Sequence, residues 1–193
     1  MRKIVAGFVL SLAALGAWGA EMRSRGVSTA PILIDVYSDF QCPACKVLHE
    51  NMLGQLAYDY ADKGKVYLVH HEFPLPMHAH AMEAACYACA ASRVGKYQQV
   101  SDVLFHSQEI WAANGKVDET VCSILTPAEA KKVRALVKDP AIAAEVQQDI
   151  QAGKTAQINQ TPTMILTYRG KQYRIPGANY DILRRFIDQL LAN

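Results

Sequence analysis

A Cys-x-x-Cys pair, placed where a strand is predicted to give way to a helix, constrains the fold of this chain most. Cys42-Pro43-Ala44-Cys45 follows an apolar run at residues 32–37 and opens an amphipathic segment. A helix N-terminus carries unpaired N–H groups and a partial positive charge, both of which stabilise a thiolate. Because the thiolate is the reactive form of cysteine, this placement predicts thiol–disulfide chemistry. Half of a zinc site has the same spacing, so metal binding stays open as an alternative.

The first twenty residues have the layout of a secretory signal peptide. Arg2 and Lys3 precede an uncharged apolar stretch at residues 4–18, and small residues follow it. Such a segment directs export and is cleaved at its small-residue end. An uncleaved membrane anchor is the alternative, since the stretch is near the shortest length that spans a bilayer. We predict a signal peptide at residues 1–20 and a periplasmic or otherwise extracytoplasmic protein that is soluble after cleavage.

The charge balance excludes strongly charged partners. The full chain has a net charge of +2, and Arg2 and Lys3 are the charged residues of the predicted signal peptide. Without these two, the 18 acidic residues are matched by an equal number of basic ones. Neither nucleic acid nor an anionic membrane surface is therefore expected as the partner. The remaining length of about 170 residues suits one domain with a sizeable core.

The order of the predicted elements gives the fold class. Hydrophobic periodicity and turn residues predict strands at 32–38, 66–70, 163–168 and 171–175, and helices at 42–63, between 78 and 153, and at 180–192. Helix breaks are expected near Gly95, Asn114-Gly115, Thr126-Pro127 and Asp139-Pro140. This order predicts an α/β protein, a thioredoxin fold with an inserted all-helical subdomain.

We expect one domain over residues 28–193. Its thioredoxin core would occupy about residues 30–76 and 154–193, and the helical insert about residues 77–153. The first two strands form a parallel pair and the last two a hairpin, so all four can share one sheet. The insert would then cap this sheet beside Cys42.

A Thr-Pro pair precedes the third predicted strand. Pro162 lies between Thr161 and Thr163, and a proline is tolerated where a strand starts. In a thioredoxin fold this loop faces the Cys-x-x-Cys pair, and a cis proline there leaves the backbone free to pair with a substrate peptide. We therefore predict a cis bond before Pro162. A trans proline that only starts the strand is the alternative.

Several separated motifs resemble those of one family. Residues 38–45, Ser-Asp-Phe-Gln-Cys-Pro-Ala-Cys, resemble the active-site signature of exported DsbA-like thiol–disulfide oxidoreductases. The similarity covers about residues 30–191. Four further stretches match in order: Glu72-Phe73-Pro74-Leu75, His78-Ala79-His80-Ala81-Met82, Gly95-Lys96-Tyr97 and Asn159-Gln160-Thr161-Pro162-Thr163.

The resemblance implies a role for each site residue. Cys42 is the exposed attacking sulfur, Cys45 is the buried resolving sulfur, and Thr161 and Pro162 hold the backbone of the substrate. The Cys42–Cys45 disulfide is the redox group, and no other cofactor is expected. The implied partners are cysteine-containing exported proteins and a membrane redox partner, either a quinone-linked reoxidase or an electron donor. We predict a monomeric dithiol oxidase. The alternatives are a disulfide reductase, a metal-binding chaperone that uses the cysteine pair, and a catalytically silent peptide-binding module.

Two residues near the cysteines carry further expectations. Strongly oxidising members of the family often have a histidine at the second inner position, where this chain has Ala44 after Pro43. Since alanine donates no side-chain hydrogen bond or charge to the thiolate, we expect a less depressed Cys42 pKa and a milder oxidant. Asp35, inside the first strand, is a candidate to relay the proton of Cys45. An inert aspartate at a strand edge is the alternative.

The remaining cysteines and the histidines suggest two further hypotheses. Relatives sometimes carry a second disulfide in the insert, which favours a bridge from Cys122 to Cys86 or Cys89; three inert buried thiols are the alternative. Four histidines fall within eleven residues and raise the possibility of a metal site. Their spacing fits no zinc ligand pattern, so solvated or capping side chains are predicted, and no metal. These histidines are His70, His71, His78 and His80.

Overall fold

The computed structural model describes residues 23–175 and 179–192. The predicted signal peptide at residues 1–20 lies outside these described residues. Among the helices of the described part, none has both the length and the apolar character that crossing a membrane requires.

A mixed sheet of five strands lies at the centre of the described part. The strands are β1 (Ser24–Arg25), β2 (Ile32–Ser38), β3 (Val66–Glu72), β4 (Thr163–Tyr168) and β5 (Lys171–Ile175). Their spatial order is β1-β3-β2-β4-β5, with β2 and β3 parallel and the other neighbours antiparallel. At one edge of the sheet, β5 exposes Lys171, Gln172 and Arg174.

A long helix, α1, makes the crossover between the parallel strands β2 and β3. It begins at Pro43 and ends at Ala61, with α-helical segments at Pro43–Leu48 and Gly54–Leu56 and wider π-helical segments at His49–Leu53 and Ala57–Ala61. The other helices of the described part are α2 (Ala81–Ser92), α3 (Tyr97–His106), α4 (Gln108–Asn114), α5 (Val117–Cys122), α6 (Pro127–Val137), α7 (Pro140–Thr155) and α8 (Tyr180–Leu191).

Because side chains alternate along β2, they pack into two different apolar cores, one on each face of the sheet. Successive side chains of a strand point to opposite faces of the sheet. Ile32, Ile34 and Val36 pack with apolar residues of α1 and α8 on one face. On the other face Tyr37 packs with Phe73, beneath α7.

Helix α2 is the centre of the inserted helices, because most of its surface is buried. Ten of its residues are buried, and many of them are alanines. Small side chains allow neighbouring helices to approach closely. One side of α2 belongs to the apolar cluster that contains Cys42 and Cys45. Its other side, with Cys86 and Cys89, packs on α7. The inserted helices are therefore in direct contact with the Cys-x-x-Cys pair.

Most of the predicted element limits are confirmed. β2, β4 and β5 have the predicted limits, and each of the four predicted helix breaks falls between two observed helices. β3 extends to Glu72, two residues beyond the prediction, and α1 ends at Ala61 rather than Lys63. β1 was not predicted, because two residues are too few to show an alternating pattern. The break at Ser107, between α3 and α4, was also missed, since no glycine or proline marks it.

Candidate active site

Cys42 caps the N-terminus of α1. Its backbone is extended (φ −82°, ψ 120°), and Pro43 takes the first helical position. Proline suits that position because its missing N–H would have no helical partner there. The backbone N–H groups of Cys45 and Lys46 donate to the Cys42 carbonyl at 3.1 and 3.2 Å. The Cys42 side chain is therefore held at the positive end of the helix. Cys42 is only 7% exposed, so the prediction of an exposed attacking sulfur is wrong; the Thr161 loop lies against its sulfur.

The two thiols have opposite acidities. The pKa of Cys42 is lowered to about 5, mainly because the Cys45 side chain donates a hydrogen bond to its sulfur. Thr161 and the backbone N–H groups of Ala44 and Cys45 lower it further. Burial raises the pKa of Cys45 well above its usual range, and its hydrogen bond with Cys42 adds to the shift. At neutral pH Cys42 is consequently a thiolate and Cys45 a thiol.

Pro43 and Ala44, the two residues between the cysteines, are both exposed. Ala44 acts on Cys42 through its backbone N–H and not through its side chain. The expectation of a milder oxidant than the histidine-bearing relatives stays a prediction.

The Cys45 sulfur is enclosed by the end of β2. The Cys45 side chain is only 1% exposed. The backbone N–H of Asp39 lies 3.4 Å from its sulfur. The Ser38 side chain is a second hydrogen-bond partner, and it favours the thiolate form of Cys45. The buried sulfur therefore touches polar groups, although it lies within an apolar cluster.

The loop between α7 and β4 lies beside Cys42. The Thr161–Pro162 peptide bond is cis. The Cys42 sulfur lies 3.4 Å from the Thr161 carbonyl oxygen, although 119 positions separate the two residues in the sequence. The fold thus brings the Thr-Pro pair and the Cys-x-x-Cys pair together.

Asp39 holds the segment before Cys42, a role that we did not predict. Its side chain is completely buried. One carboxylate oxygen accepts the Gln41 N–H at 2.7 Å, and the other accepts the Leu75 N–H at 2.8 Å and bonds to His78 Nδ1 at 2.7 Å. The bond to Gln41 is the local turn that an aspartate makes with the residue two positions on, so the sequence contained a usable signal.

Gln108 ties the inserted helices to the active site. At the start of α4, its side-chain amide donates to the carbonyl oxygens of Phe40 and Cys42, at 2.7 and 3.0 Å. Gln108 is 3% exposed, so both bonds are shielded from water. No local pattern marks this residue, because its partners lie more than sixty positions away in the sequence.

The structure places Asp35 away from the Cys45 sulfur. Asp35 alternates with the core residues Ile34 and Val36, so its side chain faces the opposite side of β2. Its carboxylate bonds to His71 Nε2 at 2.8 Å. In the described part of the chain, Cys42, Asp39 and Ser38 are the hydrogen-bond partners of Cys45, and Asp35 is not among them. The suggested relay through Asp35 therefore has no contact to support it.

Buried charges surround the middle of β3. Arg23 is 2% exposed and lies 2.5 Å from Asp149 and 3.1 Å from Glu145. Against the opposing effect of burial, hydrogen bonds to Asp149 and Asp35 raise the pKa of His71 to about 9. His71 is therefore a buried cation between two carboxylates. For His71, this cluster corrects the prediction of a solvated or capping side chain.

The three other cysteines are free thiols in the structure. Cys86 and Cys89 pack on α7, whereas Cys122 borders the separate cluster around Cys42 and Cys45. The bridge from Cys122 to Cys86 or Cys89 is therefore absent from these described residues, and the two sides of α2 account for the separation. Burial raises the pKa of all three thiols, that of Cys122 to about 11.

The histidines do not converge on a common centre. His78 bonds to Asp39, His71 bonds to Asp35 and Asp149, and the His80 backbone N–H donates to Gln41. Within the described ranges, no group of three or more His, Cys, Asp and Glu side chains has a geometry suited to a metal ion.

Comparison with known proteins identifies the family of this chain. A sequence model of the family described as Thioredoxin matches residues 19–189. The chain belongs to the thioredoxin family. Probable disulfide bond formation protein D of Bacillus anthracis is 24% identical over 178 residues, which cover 88% of this chain and 78% of that protein.

Solved structures agree on the fold. The oxidised form of BdbD from Bacillus subtilis has a TM-score of 0.75 at 20% identity and covers 91% of this chain and 95% of its own. The alpha-DsbA1 protein of Wolbachia pipientis has a TM-score of 0.74 at 20% identity, with coverages of 87% and 89%. The predicted thioredoxin fold with inserted helices and the DsbA-like resemblance are confirmed. The protein is of the protein disulfide oxidoreductase class, whose redox group is a disulfide of the chain itself.

Proposed function

We propose that the protein is an extracytoplasmic dithiol oxidase that introduces disulfides into exported proteins through Cys42. The observation that carries this proposal is the contrast between the two thiols. Cys42 has a pKa lowered to about 5 at the start of α1, and Cys45 is a buried thiol of raised pKa. A reactive thiolate next to a protected thiol is the arrangement that thiol–disulfide exchange needs.

The proposed reaction has two exchange steps. A substrate thiolate attacks the Cys42 sulfur of the oxidised protein, the Cys42–Cys45 bond breaks, and Cys45 leaves with the electron pair and takes up a proton. A second substrate thiolate then attacks the substrate sulfur of the mixed disulfide, and Cys42 leaves as a thiolate. The substrate loses two electrons and gains a disulfide, while the protein ends as the dithiol.

The acidity of Cys42 favours this direction of electron flow. A thiol of low pKa leaves readily, which speeds the second step. Because Cys42 is a stabilised thiolate in the reduced protein, the reduced form is favoured and the disulfide becomes more oxidising. Pro43 and Ala44 support this by starting the helix and by supplying the N–H of Ala44 to Cys42.

The Thr161–Pro162 loop is the proposed wall of the substrate site. The Thr161 carbonyl oxygen lies 3.4 Å from the Cys42 sulfur, so a peptide bonded to Cys42 would pass directly beside this loop. Proline carries no backbone N–H, and Pro162 therefore leaves the pairing to the neighbouring backbone groups. We assign Pro162 to the catalytic site with the two cysteines, and Thr161 to a supporting role.

Location and partners follow from the sequence and the relatives. The signal-peptide pattern at residues 1–20 supports export of a single domain at residues 28–193. Relatives are named disulfide bond formation protein D, which supports cysteine-containing substrates. Since each cycle leaves two electrons on the cysteine pair, an oxidant must remove them, and we propose a membrane partner linked to quinone for this step.

The redox potential of the Cys42–Cys45 pair tests the proposal. Equilibration of the full chain with glutathione buffers should give a potential clearly above that of thioredoxin, which is about −270 mV. A value near that of thioredoxin would favour the reductase. A stoichiometric bound metal, without any exchange with a model disulfide, would contradict an oxidoreductase and favour the metal-binding chaperone.

Trapping of intermediates tests the separate roles of the two sulfurs. Cys45→Ala should accumulate mixed disulfides through Cys42 in the exporting cell, since the resolving thiol is missing. Cys89→Ala, which removes a buried thiol outside the pair, is the matched control and should accumulate none. Free Cys42 in the Cys45→Ala protein would show that the attacking sulfur is assigned wrongly.

A further inference from the structure

The buried Cys45 sulfur needs a route for its proton. Each time the active-site disulfide opens, Cys45 leaves as a thiolate in an apolar cluster, and its raised pKa makes it a poor leaving group unless a proton arrives. Asp35 has no contact with it. The Ser38 side chain touches Cys45 and also borders a cavity that offers the proton a route away from the sulfur.

Ser38 borders a small cavity. The cavity has a volume of about 10 Å³, close to the least that holds a water molecule. Its polar lining includes Ser38, Glu72, Ser101 and Tyr97. The Ser101 hydroxyl is buried and has no hydrogen-bond partner among the described residues. A buried hydroxyl without a partner is costly, and a water at this place would satisfy it.

Glu72 faces this cavity from the strand next to Ser38. The two residues are register partners of the parallel strands β2 and β3, so their side chains lie on the same face of the sheet. Glu72 is 2% exposed, and the Tyr97 hydroxyl donates to its carboxylate at 2.8 Å. A carboxyl group thus lies within the reach of one water molecule from the hydroxyl that touches Cys45.

The cavity also connects toward the surface. A larger cavity of about 290 Å³ shares His49, His70 and Tyr97 with it, and its lining includes the half-exposed carboxylate of Asp102. His49 bonds to Asp102 at 2.8 Å. Polar groups therefore line both cavities, of which the small one borders Ser38 and the larger one borders the half-exposed Asp102.

We propose that Glu72 gives a proton to Cys45, through one water in the small cavity and the Ser38 hydroxyl, when the active-site disulfide opens. When the disulfide re-forms, the carboxylate form of Glu72 accepts the proton of Cys45 by the same route and releases it to solvent. The Cys42–Cys45 bond breaks, Cys45 receives the electron pair and then the proton, and Glu72 becomes a carboxylate that is reprotonated from solvent through the larger cavity. The Ser38 hydroxyl touches the reacting sulfur. Glu72 acts on this sulfur only through Ser38 and is therefore a positioning residue, which holds the proton until it is transferred.

The charges around Glu72 permit both protonation states near neutral pH. Burial raises its pKa to about 7, and the opposing attraction of Arg23 and hydrogen bond of Tyr97 limit the rise. The titratable or charged groups that face Glu72 are Arg23, His49, Tyr97, His70, His71, Asp149, Cys86 and Cys89.

The pH profile of disulfide opening tests the relay. The oxidised full chain is mixed with dithiothreitol in a stopped-flow instrument, and the fluorescence of Trp111, which belongs to the same cluster as both cysteines, follows the reaction. The rate constant is expressed per dithiothreitol thiolate. In the wild type it should fall as the pH rises through about 7, because Glu72 then loses the proton that it donates. In Glu72→Gln this fall should vanish, and the rate at pH 6 should be lower by roughly a hundredfold.

Glu145→Gln is the matched control. Glu145 is a second buried glutamate beside Arg23, but it does not line the cavity. This variant should keep the wild-type profile, since a general loss of buried charge leaves the relay intact. A Glu72→Gln protein that keeps the fall near pH 7 would overturn the proposal.

The relay rests on the proposed function, yet the two proposals fail separately. A wild type that never reacts with thiols contradicts both, whereas a normal pH profile in Glu72→Gln contradicts the relay alone.

Two substitutions of Ser101 test the path without changing Glu72. Ser101→Val fills the cavity and should slow the reaction at pH 6 to the level expected for Glu72→Gln. Ser101→Ala leaves room for the water and should retain most of the rate. Equal rates in the two variants would overturn the role of the cavity, even if Glu72→Gln does not fold.

Discussion

At the scale of single residues, the surroundings of each sulfur decide its chemistry. Cys42 and Cys45 are three positions apart, but one lies at the positive end of α1 and the other faces inward from its first turn. The end of the helix stabilises negative charge, and burial disfavours it. Identical side chains therefore have pKa values that move in opposite directions.

Ala44→His should make the protein a stronger oxidant. An imidazolium beside Cys42 stabilises the thiolate, so the pKa of Cys42 should fall below about 5. The potential should rise by about 30 mV for each unit of that fall. Titration of the thiolate absorbance and equilibration with glutathione measure the two quantities. Ala44→Gln, polar but uncharged, is the control and should leave both close to the wild-type values.

The residues nearest the cysteines were predictable to different degrees. The Cys-x-x-Cys pair and the Thr-Pro pair stand out because each has a local pattern. Asp35 was a reasonable candidate by its distance along the chain, but the strand period of two turns it to the other face. Glu72 lies in a motif that we noted, yet nothing local indicates that its strand pairs in register with Ser38.

At the scale of elements, close packing of α7 on the sheet limits what can replace Gly153. A Cβ at this position would lie 2.5 Å from Phe73 and 3.2 Å from Tyr37. Gly54, in α1, has no atom within 4 Å of the same point, so it offers a matched comparison. The two glycines therefore separate the effect of packing from that of helix propensity.

Gly153→Ala should destabilise the protein, whereas Gly54→Ala should stabilise it. Overpacking costs about 1–3 kcal/mol, and alanine in an open helical position gains about 0.5–1 kcal/mol over glycine. Urea unfolding of both variants measures the difference. Equal stabilities would mean that α7 can move off the sheet without cost.

Helix α4 should prove important for the active site through Gln108. Gln108→Leu removes both side-chain bonds to the carbonyls of Phe40 and Cys42, and we expect a loss of about 1–3 kcal/mol in unfolding free energy. The rate at which iodoacetamide alkylates Cys42 should change as well, since the start of α1 loses the two hydrogen bonds from Gln108. Gln99→Leu, on the exposed side of α3, should change neither quantity.

At the scale of the whole molecule, buried charges join distant parts of the chain. Arg23 and Asp149 are 126 positions apart, and His71 links the same aspartate to Asp35. No reading of local sequence finds such a cluster, because each member alone is consistent with an exposed side chain. The order of elements was predictable from periodicity, whereas this network exists only once the sheet and α7 have come together.

Because of His71, the unfolding free energy of the protein should fall as the solution becomes more alkaline. The pKa of His71 is raised from 6.5 to about 9 in the folded protein. The stabilisation that the folded protein gains from protonated His71 is therefore complete below pH 6.5 and is lost as the pH rises through 9. The unfolding free energy of the wild type should fall by up to about 3 kcal/mol more than that of His71→Gln over this range. His106→Gln, at an exposed position of α3, should follow the wild type instead.

The charged edge of the sheet has a consequence for a protein proposed to form disulfides in exported proteins. An open strand edge invites a foreign backbone to add to the sheet, and such pairing can continue into aggregates. Lys171 and Arg174 on β5 are exposed there, and Lys and Arg resist further pairing because a second strand would have to bury their charges. A cysteine-bearing client should therefore be held by the covalent bond at Cys42 and by the Thr161–Pro162 loop, and it should be released when that bond is exchanged, without being drawn into a growing sheet.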